Sequence, residues 1–312
     1  MPASLYMLIS NMRRLFQNVL IFLVAVVAAD KFFGLAMSKV LQETEKGDWG
    51  RNNYIFSELR SDAVILGSSR AIHHYDPKIM SDSLGMSCYN CGEDGMGVFL
   101  MYARYKAIRQ RYIPRLVIYE ILPGYDLLLE KDNLRYLKFL RPYTNVPAVD
   151  SIVHYISPVE RYKLMSEMFR YNSVFLDIIS QRYSKAPEKA CDYTYSPLDG
   201  KMDYEPPTAS NDQVLTDSLK LFCLEELITN CLSDGTRLVF TASPIYKPVS
   251  DVAFTPLKEL CSKYQIPFVN YYCNKDFCEN PAYFADGGHL NRNGAELVTS
   301  FIASEIKGII SK

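Results

Sequence analysis

Short apolar runs closed by glycine, proline or a polar cluster alternate with stretches of helical periodicity through most of this chain. Residues 62–66 (DAVIL) run straight into Gly67, and their unbroken apolar part reads as a strand buried on both faces. The same reasoning predicts strands at 87–90, 115–120, 237–242 and 267–269. Between them, apolar residues at helical spacing predict helices at 77–84, at 98–111, stopped by Pro114, at 214–232, closed by Asp234 and Gly235, and at 256–263. A last helix from about Asn293 buries Leu297, Val298, Phe301, Ile302, Ile306 and Ile310 on one face. Strands separated by helices imply an α/β fold, a mostly parallel sheet covered on both sides, whose ligand sites form at the carboxyl ends of the strands.

Two segments break the alternation. Residues 123–211 form an 89-residue insertion between the third and fourth strands, with helical patches at 153–171 and 173–182 and ten of the chain's 23 tyrosines. Those tyrosines either pack a helical subdomain or line a lid that offers platforms to sugar rings. At the other end, residues 19–29 (VLIFLVAVVAA) are wholly apolar, with Arg13 and Arg14 before them and no acidic residue before Asp30. Eleven residues span only about 16 Å as a helix, but 15–37 span about 34 Å, enough to cross a bilayer. The arginines then stay cytoplasmic and the rest is exported to the extracytoplasmic side. Small residues at 27–29 also suit signal-peptide cleavage, and a buried helix of a soluble protein is the remaining alternative. The resulting division is a cytoplasmic stub and anchor at 1–40, a polar tether at 41–61 and an α/β domain at 62–312.

Composition adds little beyond exclusions. Thirty-four Lys+Arg against 35 Asp+Glu leave a net charge of −1 with no basic cluster, so no nucleic-acid partner is expected. Eight cysteines are too few for a disulfide scaffold in 312 residues. Cys88 and Cys91 have a knuckle-like spacing but no second pair, which points to packing or an incidental disulfide and to no metal.

Candidate chemistry sits in three places. Gly67-Ser68-Ser69-Arg70 follows the first strand directly, so its hydroxyls emerge where α/β active sites form. A serine needs an adjacent base held in one tautomer by a carboxylate. Asp286-Gly-Gly-His289 supplies such a pair on one turn, whereas His73 and His74 follow Ser69 too closely and read as structural, and His154 lies in the insertion. The glycine-rich turn at 89–97 (YNCGEDGMG) opens a helix and offers backbone N–H groups to an oxyanion. Ser68, with the same chemistry one position earlier, is the alternative nucleophile.

In this order the pieces resemble the SGNH (GDSL-like) hydrolases, in particular membrane-anchored bacterial envelope types. Ser69 matches the serine of the first block, Asn90, Gly92 and Gly95 the second, and Asp286 and His289 the last, followed by Leu290, Asn291 and Gly294. The resemblance implies a three-layer flavodoxin-like fold and a Ser69, His289, Asp286 triad, with Ser69 and Gly95 forming the oxyanion hole. Arg70 and Asn90 are candidate substrate contacts. The family's third block, Gly-x-Asn-Asp, is missing: residues 122–126 read LPGYD. The implied activity is that of a membrane-tethered esterase or O-acyltransferase acting on acyl, chiefly acetyl, esters of cell-envelope carbohydrate, without metal or organic cofactor. The alternative is an inactive scaffold of this shape that binds an envelope glycan or a partner protein.

Overall fold

The computed structural model describes residues 3–185, 194–206 and 215–311. Helix α1 (Ala3–Gln42) and helix α2 (Gly47–Ser57) lead into strand β1 (Ala63–Gly67), and α3 (Ser69–His74), α4 (Pro77–Leu84), β2 (Cys88–Asn90), α5 (Val98–Arg109) and β3 (Leu116–Glu120) follow. The insertion carries α6 (Pro123–Asp126), α7 (Pro147–Ile156), α8 (Glu160–Lys163), α9 (Glu167–Arg170) and α10 (Phe175–Arg182). Then come α11 (Ser218–Asp234), β4 (Arg237–Ala242), α12 (Thr255–Tyr264), β5 (Phe268–Asn270), α13 (Lys275–Cys278) and α14 (Arg292–Ile310).

All five strands pair in parallel in the order β2-β1-β3-β4-β5, the flavodoxin-like arrangement, and each lies within a residue of the run that predicted it. Alternate residues divide the core in two. Val64, Leu66, Val117, Tyr119, Leu238 and Phe240 face α2, α5, α11 and the insertion. Ala63, Ile65, Leu116, Ile118 and Val239 face α3, α4 and α14. Because both faces are covered, period-two alternation selects between two apolar layers and leaves no polar face, hence the continuous apolar runs.

Three expectations are corrected, the first being Phe301, expected on the buried face of the last helix and 50% exposed on α14. Residues 41–61 are no tether: α2 occupies their centre, with Trp49 and Ile55 fully buried and the Trp49 indole donating to Asp177 Oδ2 at 3.0 Å. The polar look of the segment misled because Arg51 and Asn52 are themselves buried against partners inside the protein. The predicted helix at 153–171 is three shorter ones, broken at Ser157 and again at Ser166, whose hydroxyl caps α9. In the insertion Tyr136, Tyr143 and Tyr171 are buried, whereas Tyr155, Tyr162, Tyr183 and Tyr204 are exposed. Cys191, Tyr193, Val214 and part of the insertion lie outside the described residues.

Helix α1 is continuous across the predicted anchor. Residues 11–29 are exposed all round, whereas Phe33, Met37 and Leu41 pack into the domain. Its 34 residues from Ile9 to Gln42 are long and apolar enough to cross a membrane.

Candidate active site

The site begins with a backbone requirement at the end of β1. Gly67 has φ +143°, and a Cβ there would lie 2.5 Å from the carbonyl oxygen of Glu120. Only glycine fits so close to β3, and the chain turns directly into α3 with Ser69 as its first residue. Ser69 Oγ lies 2.9 Å from His289 Nε2, across 220 positions of sequence. The other ring nitrogen, Nδ1, is 3.0 Å from each carboxylate oxygen of Asp286. A carboxylate only accepts, so Nδ1 carries the proton and Nε2 is free to accept from the Ser69 hydroxyl.

The Asp286 turn folds on itself. Asp286 Oδ1 accepts from the backbone N–H of Gly288 at 2.8 Å and of His289 at 2.9 Å. Partial burial pushes this carboxyl up, but those two N–H groups and the His289 imidazole outweigh it and hold Asp286 below the ordinary carboxylate range. Asn291 then caps α14 through the Gly294 N–H.

A buried polar hub joins the serine helix to the histidine turn. His74, at the end of α3, accepts from the backbone N–H of Leu290 through Nε2 at 3.0 Å and donates through Nδ1 to Ser243 Oγ at 2.7 Å. Ser243 donates to Glu120, which also receives Arg70, Tyr75 and Thr241. Complete burial, then the cationic Arg70 and the neighbouring histidines, drive the His74 pKa far down, so it is neutral here. A histidine whose folded pKa is depressed lends stability above its unfolded value near 6.5, and that stability is lost as acid protonates the unfolded chain. The urea midpoint should therefore fall between pH 6.5 and 5, and His74→Gln should flatten that dependence. An unchanged slope in the variant would exclude His74 as its source.

The glycine-rich turn is braced from beneath. Glu93, buried, accepts from Arg104 at 2.6 Å and pairs with Arg51 of α2 at 2.7 Å, and Arg104 also donates to the Cys91 carbonyl. The Glu93 N–H reaches back to the Gly67 carbonyl at 3.1 Å, which sets the turn beside the serine. Gly95, at φ +67°, has open space around its Cβ position. Among the described residues neither the Gly95 nor the Ser69 N–H has an internal acceptor.

Arg70 and Asn90, expected as substrate contacts, are not placed to be so. Arg70 is 2% exposed and held by Glu120 through Nε and Nη2. Asn90 is fully buried, donates to the Ala71 and Tyr75 carbonyls and accepts from Gly92 N–H. Its work is to clamp the glycine turn to α3. Ser68 is also fully buried, and its hydroxyl has no hydrogen-bond partner among the described residues, so of the two serines only Ser69 meets the imidazole.

Several groups around the site carried no sequence signal. His73 and His74 both stand edge-on to His289, with ring centres 5.9 Å from it. His73 Nε2 lies 3.0 Å from Asp94 Oδ1, and its Nδ1 faces the Ser196 carbonyl. Asp94 raises His73, against the opposing effect of burial. Ser196 belongs to residues 194–206, which return from the insertion to the rim, where Arg292 N–H donates to Leu198 O and Met202 N–H to Phe284 O. His154 remains in the insertion beside Asp150. Where the third block would stand, Asp126 is buried and accepts from Tyr119 and the Leu122 N–H, its pKa pushed up to about 7 by burial. It faces the core. The seven described cysteines are free, and burial pushes the Cys88 thiol up to about 11 and Cys91 to about 12.

Fold and site together define a class: a doubly covered parallel sheet with hydroxyl, imidazole and carboxylate linked in series at the carboxyl end of β1. Among solved structures, the chain is similar to a GDSL-like lipase from Bacteroides thetaiotaomicron, at 12% identity over 78% of this chain and 88% of that one, with a TM-score of 0.34. It is similar to a lipase/acylhydrolase from Enterococcus faecalis, at 12% identity over 79% and 96%, with a TM-score of 0.34. It is likewise similar to a G-D-S-L family protein from Desulfitobacterium hafniense, at 9% identity over 78% and 98%, with a TM-score of 0.39. No protein-family model and no curated protein matches the sequence.

Proposed function

We propose that this chain is a membrane-tethered serine esterase or O-acyltransferase of SGNH type. The single observation that carries the reading is the Ser69 to His289 contact, backed by Asp286 on the far ring nitrogen. In the proposed reaction Ser69 Oγ attacks the carbonyl carbon of an ester while His289 Nε2 takes its proton. Collapse of the tetrahedral intermediate expels the alcohol, which receives that proton from His289. Water or a second hydroxyl, deprotonated by His289, then resolves the acyl-enzyme. Asp286 holds the imidazole in the required tautomer and balances the imidazolium charge.

The N–H groups of Ser69 and Gly95 are the proposed oxyanion donors, since the first opens α3 and the second borders open space. The family's asparagine donor is absent, and the loss of one such donor costs about 10² to 10³ in rate. A modest turnover is therefore expected of this enzyme. The same absence is what favours the second reading, an inactive scaffold of this shape.

Acylated envelope carbohydrate is the proposed substrate class, on the strength of the resemblance and of an exposed apolar helix that leads into the domain. The anchored reading, with the domain outside, is favoured over cleavage because α1 runs unbroken past residue 29 and Asp30 caps α9. A fluorophosphonate probe applied to the folded protein should add one mass adduct, mapping to the peptide with Ser69. Absence of any adduct under conditions that label a control esterase would leave the scaffold.

A further inference from the structure

The length of α1 and the surface of the insertion bear on each other. Asp30 is part of the folded domain: its carboxylate accepts from Ser166 Oγ at 2.7 Å and from the N–H groups of Glu167 and Met168, both at 2.9 Å. Lys31 donates to the Met165 carbonyl at 3.1 Å and pairs with Glu167. If the bilayer ended where the domain begins, the span from Leu15 to Ala29 would cover about 22 Å, well short of the roughly 30 Å of hydrocarbon. Extending the span to Leu35 gives about 31 Å, which matches.

The surface at that level is apolar. Phe32 and Leu35 on α1, Tyr162 on α8, Met165 between α8 and α9, Met168 on α9 and Leu176 on α10 are each at least 57% exposed. They lie near the point where α1 joins the domain, where Phe33 packs edge-on against Tyr171 and Phe175 of the insertion. An exposed apolar patch continuous with a membrane-crossing helix costs free energy in water and gains it in the interface. Within it Asp30 has three donors and Lys31 two acceptors, so neither of these two charges opposes that depth.

We infer that the α8–α9 region of the insertion is a lipid-docking collar, sunk in the outer interface of the bilayer so that the hydrocarbon boundary lies near Leu35 and not at Asp30. The inference rests on the anchored reading above. The collar would fix the height and tilt of the domain, where α1 alone would leave it to swivel on a single helix.

The test uses the full chain in phosphatidylcholine/phosphatidylglycerol vesicles with brominated acyl chains, which quench tryptophan on contact. The chain has one tryptophan, Trp49, fully buried, whose emission gives a constant background. Met165→Trp and Met168→Trp, both at exposed positions, probe the collar. Phe22→Trp probes the span and Val249→Trp a distant exposed loop. The probes at 22, 165 and 168 should lose most of the emission they add, and the one at 249 should lose none. Quenching at 22 with none at 165 or 168 would overturn the collar and leave the anchor standing. No quenching at 22 would remove the anchor, and the collar with it. Equal quenching at 249 would also overturn the collar, since the contact would not be selective.

Discussion

Ser69→Ala is expected to lower kcat/KM for p-nitrophenyl acetate by about 10⁴-fold or more, because the attacking oxygen is removed while the rest of the site stands. Stability should hardly change: the side chain gives up one hydrogen bond to a half-buried imidazole. His289→Ala should cost about as much as the serine, and the two losses should not add, since the groups act as a unit. Asp286→Asn should be nearly as damaging, about 10⁴-fold, because the amide would favour the wrong tautomer of His289. A Ser69→Ala protein that kept its rate would dismiss the mechanism, whatever the other variants did.

Arg70→Met is expected to produce the largest loss of stability, about 3–5 kcal/mol by urea unfolding, because it leaves Glu120 charged and uncompensated in the core. Glu120 is fully buried and receives Arg70, Tyr75, Thr241 and Ser243 together. Replacing the pair as Arg70→Met with Glu120→Leu should recover part of the loss, since no lone charge remains. Through Ser243 and His74 the hub also holds Leu290, next to His289, so the single variant should lose rate along with stability. Unchanged unfolding with a raised KM would instead return Arg70 to the role of a substrate contact.

The central strands were legible because parallel strands covered on both faces write themselves as continuous apolar runs, as β1, β3 and β4 do. The Asp286 and His289 turn was legible for a different reason: its geometry is local, closed by hydrogen bonds over three residues. Polar residues that find their partners only in the folded chain were misread. Arg51 and Asn52 look like solvent-exposed tether yet brace Glu93 and Arg104. Arg70 and Asn90 look like site residues yet are buried clamps. The lone tryptophan at 49, within that polar stretch, was the one signal that could have revealed a packed helix.

By itself the chain's order of residues determined the parallel sheet, the apolar helix at its start and the two motifs proposed to carry the chemistry, because each depends on side-chain pattern over a few turns or on contacts within one turn. Only the tertiary structure decided which of two adjacent serines meets the imidazole, what holds the glycine turn, and how far α1 is committed to the domain. Those depend on partners up to 220 positions apart, and the free energy of a buried polar group is set by the partner it finds and not by the residues beside it in the chain.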